Sequence, residues 1–185
     1  MNNKRLIVVS GPSGVGKSAL LREILKKYGE MIEFSVSYTS RKMRDGEKEG
    51  IDYHYVSREE FEQGIEKGLF LEWANVHDNY YATSKEKVEE IIKKGKNCLL
   101  DIDVQGASNL MKNKVDAVYI FISPPDIETL RERLTKRNTD SIDTINKRIK
   151  NAEKEIEYRD KYQYIVINDD FNMALKELEN IIFNI

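Results

Sequence analysis

The feature that most constrains this chain is one octapeptide, Gly11-Pro12-Ser13-Gly14-Val15-Gly16-Lys17-Ser18. It stands between an apolar run, Leu6 to Val9, and an amphipathic stretch, Ser18 to Tyr28. It fulfils G-x-x-x-x-G-K-[ST] in the strand-then-helix context that gives the pattern meaning. Glycines let backbone N–H groups turn inward around phosphate oxygens, and the helix that follows adds the positive end of its dipole. Lys17 supplies a mobile cation for the terminal phosphates, and the Ser18 hydroxyl can ligate Mg²⁺. Gly11, Ser13, Gly14, Val15, Gly16, Lys17, Ser18 and Ala19 are therefore candidate contacts of a nucleoside triphosphate. The loop alone leaves the chemistry open, because GTPases, ATPases, kinases and motor-like switches share it.

The remaining pattern predicts a sheet that could carry such a loop. Strands are expected over residues 6–10, 34–38, 98–103, 118–123 and 164–168, and four of these runs are nearly continuous in apolar character. That suits parallel strands covered on both faces. Helical periodicity alternates with them over 18–28, 85–94 and 173–183, the last preceded by Asp169 and Asp170 as candidate caps. The expected fold is α/β: a three-layer α/β/α core around a five-stranded parallel sheet. Two segments break the rhythm. Residues 40–83 become polar, aromatic and turn-rich, as an inserted α+β lobe with bounds 34–84 would; residues 126–161 are highly charged and helical, with a non-helical tip near 138–141, as a lid would be. The core is then 1–33, 85–125 and 162–185 of one domain spanning 1–185, a size that buries a proper core.

A net charge of −2, from 30 basic and 32 acidic side chains, argues against a surface for nucleic acid or anionic membrane held by bulk charge. Neither a signal-like N-terminus nor an apolar span is present, so the cytoplasm is the expected address. Cys98 is the single cysteine, which excludes an internal disulfide. Oligomeric state is not readable from the sequence.

A second ligand must be sought elsewhere. Arg41 and Arg44 lie three apart just past a predicted strand end, where open parallel sheets place their ligands, and Tyr53, Tyr81 and Thr83 offer hydroxyls. Arginine forks match phosphate oxygens bidentately, although the same residues could simply be solvated. Glu72 interrupts the apolar run Leu69-Phe70-Leu71-Glu72-Trp73-Ala74. Either it points to solvent, or its carboxylate borders something buried and needs donors. Guanine offers two adjacent donors spaced for both carboxylate oxygens; adenine does not.

The stretches SVSYTSR, GIDYHYVS, FLEWANVHDNYYATS, LLDIDVQGA and INDD, in that order around GPSGVGKS, strongly resemble guanylate kinases over nearly the whole chain. The resemblance implies transfer of the ATP γ-phosphoryl group to GMP, and by extension dGMP, in purine nucleotide metabolism. Arg41, Arg44, Tyr53 and Tyr81 would hold the GMP phosphate; Ser37, Glu72, Thr83 and Asp103 would surround the guanine. It also assigns Asp101 to Mg²⁺, directly or through water, and Asp103 to the base. By strand alternation the two carboxylates would share a face. Arg137 and Arg148, with Lys17 and Arg44, would offset charge on the transferring phosphoryl group, and Arg133, Asn168 and Asp169 would lie against ATP.

Two positions depart from the family. Alanine stands at 82 where glycine is usual, which predicts strain if that site needs positive φ. Met43 replaces a proline that would only stiffen a turn. Scaffold domains of the same kinship bind phosphopeptides, but their phosphate loops are degraded and this one is intact. His54 and His77 read as structural, Cys98 as a small core residue and Trp73 as core of the lobe. Both appendages are expected to close on binding, since water in the site would hydrolyse ATP.

Overall fold

A computed structural model of the chain describes residues 5–76, 78–136 and 141–183. Five strands form a parallel sheet in the order β2-β7-β1-β8-β9: β1 (Leu6–Ser10), β2 (Ile32–Phe34), β7 (Asn97–Asp101), β8 (Val118–Ser123) and β9 (Tyr164–Ile167). Every residue of β1 and of β8 is buried. Each large aliphatic side chain removed from water in these runs contributes about 1.5–3 kcal/mol. The helices are α1 (Lys17–Tyr28), α2 (Arg58–Glu66), α3 (Lys85–Lys93), α4 (Val104–Lys112), α5 (Ile127–Lys136), α6 (Ile142–Ile156) and α7 (Phe171–Phe183). The class is mixed α/β, as expected.

The chain divides into two compact units. The first comprises Met1–Leu6, Glu30–Leu100 and Gln105–Ala117; the second comprises Ile7–Gly29, Asp101–Val104 and Val118–Ile185.

Within the first unit lies a four-stranded sheet in the order β4-β3-β6-β5, from β3 (Tyr38–Thr39), β4 (His54–Tyr55), β5 (Phe70–Val76) and β6 (Asn79–Ser84). The strand expected over 34–38 is therefore two short strands in different sheets. Ser35 N–H still donates to the Leu99 carbonyl at 3.0 Å, but Ser37 already accepts from His54 N–H at 2.9 Å. An alternating apolar–polar run does not show where a chain changes partners. Helix α2 starts at a full capping box: the Ser57 side chain accepts from Glu60 N–H while the Glu60 side chain accepts from Ser57 N–H. Phe61 on this helix is fully buried and meets Phe70 at 4.8 Å and Tyr80 at 5.1 Å between ring centroids. A Cβ at Gly64 would stand 2.7 Å from the Phe70 ring, so any side chain there would have to displace that ring.

In the second unit, α5 and α6 share an apolar stripe of Leu130, Leu134, Ile145, Ile149 and Ala152 beneath their charged faces. The charge density read from the sequence is thus the outer face of an amphipathic pair. Asp170 caps α7, accepting from Met173 N–H at 2.9 Å; Asp169 makes no such bond among those described.

Candidate active site

In the second unit the octapeptide follows β1 and opens α1. Gly16 holds φ 95°, a left-handed conformation that admits glycine readily, and its carbonyl starts the helix by accepting from Ala19 N–H at 3.1 Å and Leu20 N–H at 3.2 Å. At Gly11 the constraint is contact, because an added Cβ would stand 2.2 Å from the Ile122 carbonyl oxygen on β8. Val15 is buried, and its carbonyl accepts from Asn168 Nδ2 at 2.7 Å. Arg133 donates to the Asn168 carbonyl at 2.7 Å and the Asp169 carbonyl at 3.2 Å. Arg133, Asn168, Asp169 and the loop are thereby one hydrogen-bonded group.

Lys17 forms an ion pair with Asp101, at the end of β7. Strand β7 ends there, so Ile102 and Asp103 lie beyond the strand and its alternation alone does not place Asp103. Their carbonyls accept from the Ser10 hydroxyl at 2.8 Å and 3.5 Å, and the Ile102 N–H donates to the Val9 carbonyl at 3.2 Å. Ser18 and Ala19 are exposed on the first turn of α1. From α6, Arg148 Nη2 donates to Ser13 Oγ at 2.7 Å. Arg137 falls outside the described residues.

One neighbour of the loop carries no sequence signal. Glu155 on α6 is half-buried, and burial first, then the Asp103 charge, push its carboxyl up to about 7 against the opposing pull of Lys17 and the Ser13 N–H. Among the charged residues of α6, nothing in its spacing sets it apart.

The first unit holds Ser37, Arg41, Arg44, Tyr53, Glu72, Tyr81 and Thr83; Asp103 belongs to the second. Between Phe70 and Glu72 the β5–β6 register shifts, because Phe70 pairs with Ser84 while Glu72 pairs with Thr83. After this bulge, Glu72 and Ala74 point inward and Trp73 points out. The hydrophobicity order is inverted: Glu72 is 6% exposed and Trp73 41%. Trp73 is thus not lobe core, contrary to expectation; the register that aims the carboxylate inward turns the indole outward, edge-on to Tyr80. Glu72 Oε1 accepts from the buried Thr83 hydroxyl at 2.7 Å, and Ser37 is buried as well.

Arg41 lies over the rings of Tyr53 at 5.3 Å and Tyr55 at 5.8 Å, and Tyr53 meets Tyr81 edge-on at 5.8 Å. Its guanidinium is paired with Glu47 at 2.8 Å, which raises the arginine further and holds the Glu47 carboxyl down at about 2. Glu47 and Tyr55 join this group although sequence reasoning does not single them out; the available signal is an acidic residue closing the turn after the two arginines. Arg44 is exposed. Ala82 is buried in β6, and among the described residues only Asp78 and Lys114 are non-glycines with positive φ. The glycine expected there is not required by conformation.

His54 pairs with Glu49 at 3.0 Å; His77 lies outside the described residues. Cys98 is buried, and burial pushes its thiol up to about 12, so it behaves as a core residue.

Known proteins resemble this chain over nearly its whole length. The family model described as Guanylate kinase matches residues 3–185. The guanylate kinase of Desulfotalea psychrophila is 47% identical over 184 residues, covering 99% of this chain and 90% of the relative. That of Helicobacter pylori (strain ATCC 700392 / 26695) is 49% identical over 173 residues, covering 94% and 84%. Among solved structures, guanylate kinase from Anaplasma phagocytophilum superposes with a TM-score of 0.76 at 35% identity, covering 98% of this chain and 85% of that one. The SH3-kinase fragment of tight junction protein 3 matches in fold alone, at 13% identity and a TM-score of 0.54. This chain belongs to the guanylate kinase family.

Proposed function

We propose a residue-level account of how this chain performs its family's reaction. Transfer of a phosphoryl group from ATP to GMP is that reaction, and the chain is an ATP:GMP phosphotransferase. The observation that carries the choice of GMP is the inward, buried carboxylate of Glu72. A buried carboxylate needs donors, Thr83 supplies one, and guanine N1–H and N2–H₂ supply two more. Ser37 and Asp103 complete our set around the base, while Arg41, Arg44, Tyr53 and Tyr81 take the GMP phosphate. The grouping of Arg41 with three tyrosines supports that assignment.

ATP phosphates lie in the Gly11–Ala19 loop, with Lys17 exchanging Asp101 for phosphate oxygens. Asn168, Asp169 and Arg133 support the loop on the adenosine side. Because the GMP phosphate is already ionised, no general base is required; the chain's task is to align two anions and offset their charge with Lys17, Arg44, Arg137 and Arg148. Among the described residues no group of three or more His, Cys, Asp or Glu could hold a metal alone. The Ser18 hydroxyl and Asp101 carboxylate are a sparse, hard oxygen set, which fits Mg²⁺ that keeps water and nucleotide phosphates as ligands. When bound there, Mg²⁺ would supply charge neutralisation at the phosphates.

The same proposal places the GMP lobe at 34–84, the lid at 126–161 and the core in the remaining segments, and it extends the acceptor to dGMP. Among the described residues no helix is long and apolar enough to cross a membrane; the cytoplasm, where both nucleotides are held, is the proposed compartment. The test is ADP formation from MgATP with GMP, dGMP, AMP, CMP or UMP supplied separately. Turnover confined to GMP and dGMP is expected; equal use of AMP would sink the role given to Glu72.

A further inference from the structure

Glu47 sits at the centre of the Arg41 cluster without having been assigned any part in the reaction. Its carboxylate accepts four hydrogen bonds: from Arg41 Nη1 at 3.0 Å, Arg41 Nη2 at 2.8 Å, the Arg44 backbone N–H at 2.8 Å and the Tyr55 hydroxyl at 2.8 Å. Its own backbone N–H donates to the Arg44 carbonyl at 3.1 Å, so the turn from 44 to 47 is closed from both directions.

An arginine fork carries five N–H donors. Here Nη1 serves Glu47 and the Lys42 carbonyl, the latter at 2.8 Å, and one Nη2–H serves Glu47. The Nε–H and second Nη2–H share the opposite edge of the guanidinium, and the Tyr81 hydroxyl is a further partner of the group. The rings of Tyr53 and Tyr55 hold the plane of the fork. A fork so fixed has lost most of its rotamer freedom before any ligand arrives.

We propose that Glu47 is a positioning residue for the GMP phosphate: it occupies one edge of Arg41 and ties it to the backbone of Arg44. The phosphate then meets the other edge of Arg41, and the two arginines are presented together. The cost is partial neutralisation of Arg41, which a delocalised guanidinium tolerates better than a lysine would. This inference rests on the assignment of Arg41 and Arg44 to the GMP phosphate made above.

The experiment compares the wild-type chain, Glu47→Gln and Tyr55→Phe by steady-state kinetics with ATP and GMP. Calorimetric titration with GMP and with guanosine accompanies it. Glutamine cannot accept from both arms of the fork, so KM for GMP should rise about 10- to 100-fold while KM for ATP changes less than about twofold. Affinity for GMP should fall and affinity for guanosine should hold, a split that a general loss of structure would not give. Tyr55→Phe removes one donor and should raise KM for GMP about two- to fivefold. Unchanged KM for GMP in Glu47→Gln, or equal loss of GMP and guanosine, would overturn the proposal. Should Glu47→Gln fail to fold, unchanged KM in Tyr55→Phe would overturn it instead. A wild-type chain that ignores GMP would remove the site assignment as well, whereas an active wild type with unaltered variants removes only the role of Glu47.

Discussion

Glu72 and Trp73 are neighbours in sequence with exchanged environments: the carboxylate lies on the inner face of β5 and the indole on the outer. A single register shift at the bulge produces both placements, and a buried carboxylate left with too few donors costs about 1–3 kcal/mol or more. Glu72→Gln replaces one acceptor oxygen by a donor that faces the donors of guanine. KM for GMP should rise about 10- to 100-fold with KM for ATP nearly unchanged, measured by initial rates with each substrate varied. Equal GMP kinetics in the variant would remove Glu72 from base selection. The carboxylate is legible in the sequence because it interrupts an apolar run. Trp73 is not, because hydrophobicity alone argues for burial, and a bulge reverses the faces without leaving a compositional trace. Glu47 escapes sequence reasoning for a related reason: its meaning lies in a turn that folds it back onto Arg41.

The start of helix α2 is set by its own residues. Ser57 and Glu60 form the S-x-x-E pattern just before Phe61, so the start of this helix is written in the chain, yet the polar surroundings of 40–83 mask it. Removing the cap with Ser57→Ala should destabilise the fold by about 1 kcal/mol. Urea denaturation followed by circular dichroism would read this as a lower midpoint at constant slope; an unchanged midpoint would mean the cap contributes nothing. Continuous apolar runs locate β1 and β8 to the residue, and 3.6-residue periodicity locates α1 within one. Strands of two or three residues are not resolved in this way, because β2, β3 and β4 are too short for a period to develop. Helices α5 and α6 look solvated from their composition, whereas their paired apolar stripes cover one another.

Nearly balanced charge, 30 basic against 32 acidic side chains, conceals local concentrations of one sign. Glu155 faces Asp103 as well as Lys17 and the Ser13 N–H, and its carboxyl sits at about 7 when folded against an ordinary value near 4.5. Between those two values the unfolded chain has released a proton that the folded chain retains. Stability from this group is therefore complete below about 4.5 and lost as pH rises through about 7. Relative to wild type, Glu155→Gln should gain urea resistance between pH 5 and pH 7.5; a constant difference across that range would exclude the linkage. Motif and order make family and chemistry legible from sequence, since the phosphate loop, the arginines and Glu72 stand in stretches that resemble the family. What brings distant residues to one loop is not legible, and it has a consequence in time. Gly11 is moulded against the Ile122 carbonyl, and Val15 is tied down by Asn168. The Gly11–Ser18 loop near the start of the chain, the proposed ATP site, is therefore finished by residues more than a hundred positions later. On a ribosome it would stay unfinished, and unable to grip ATP, until translation had passed residue 168.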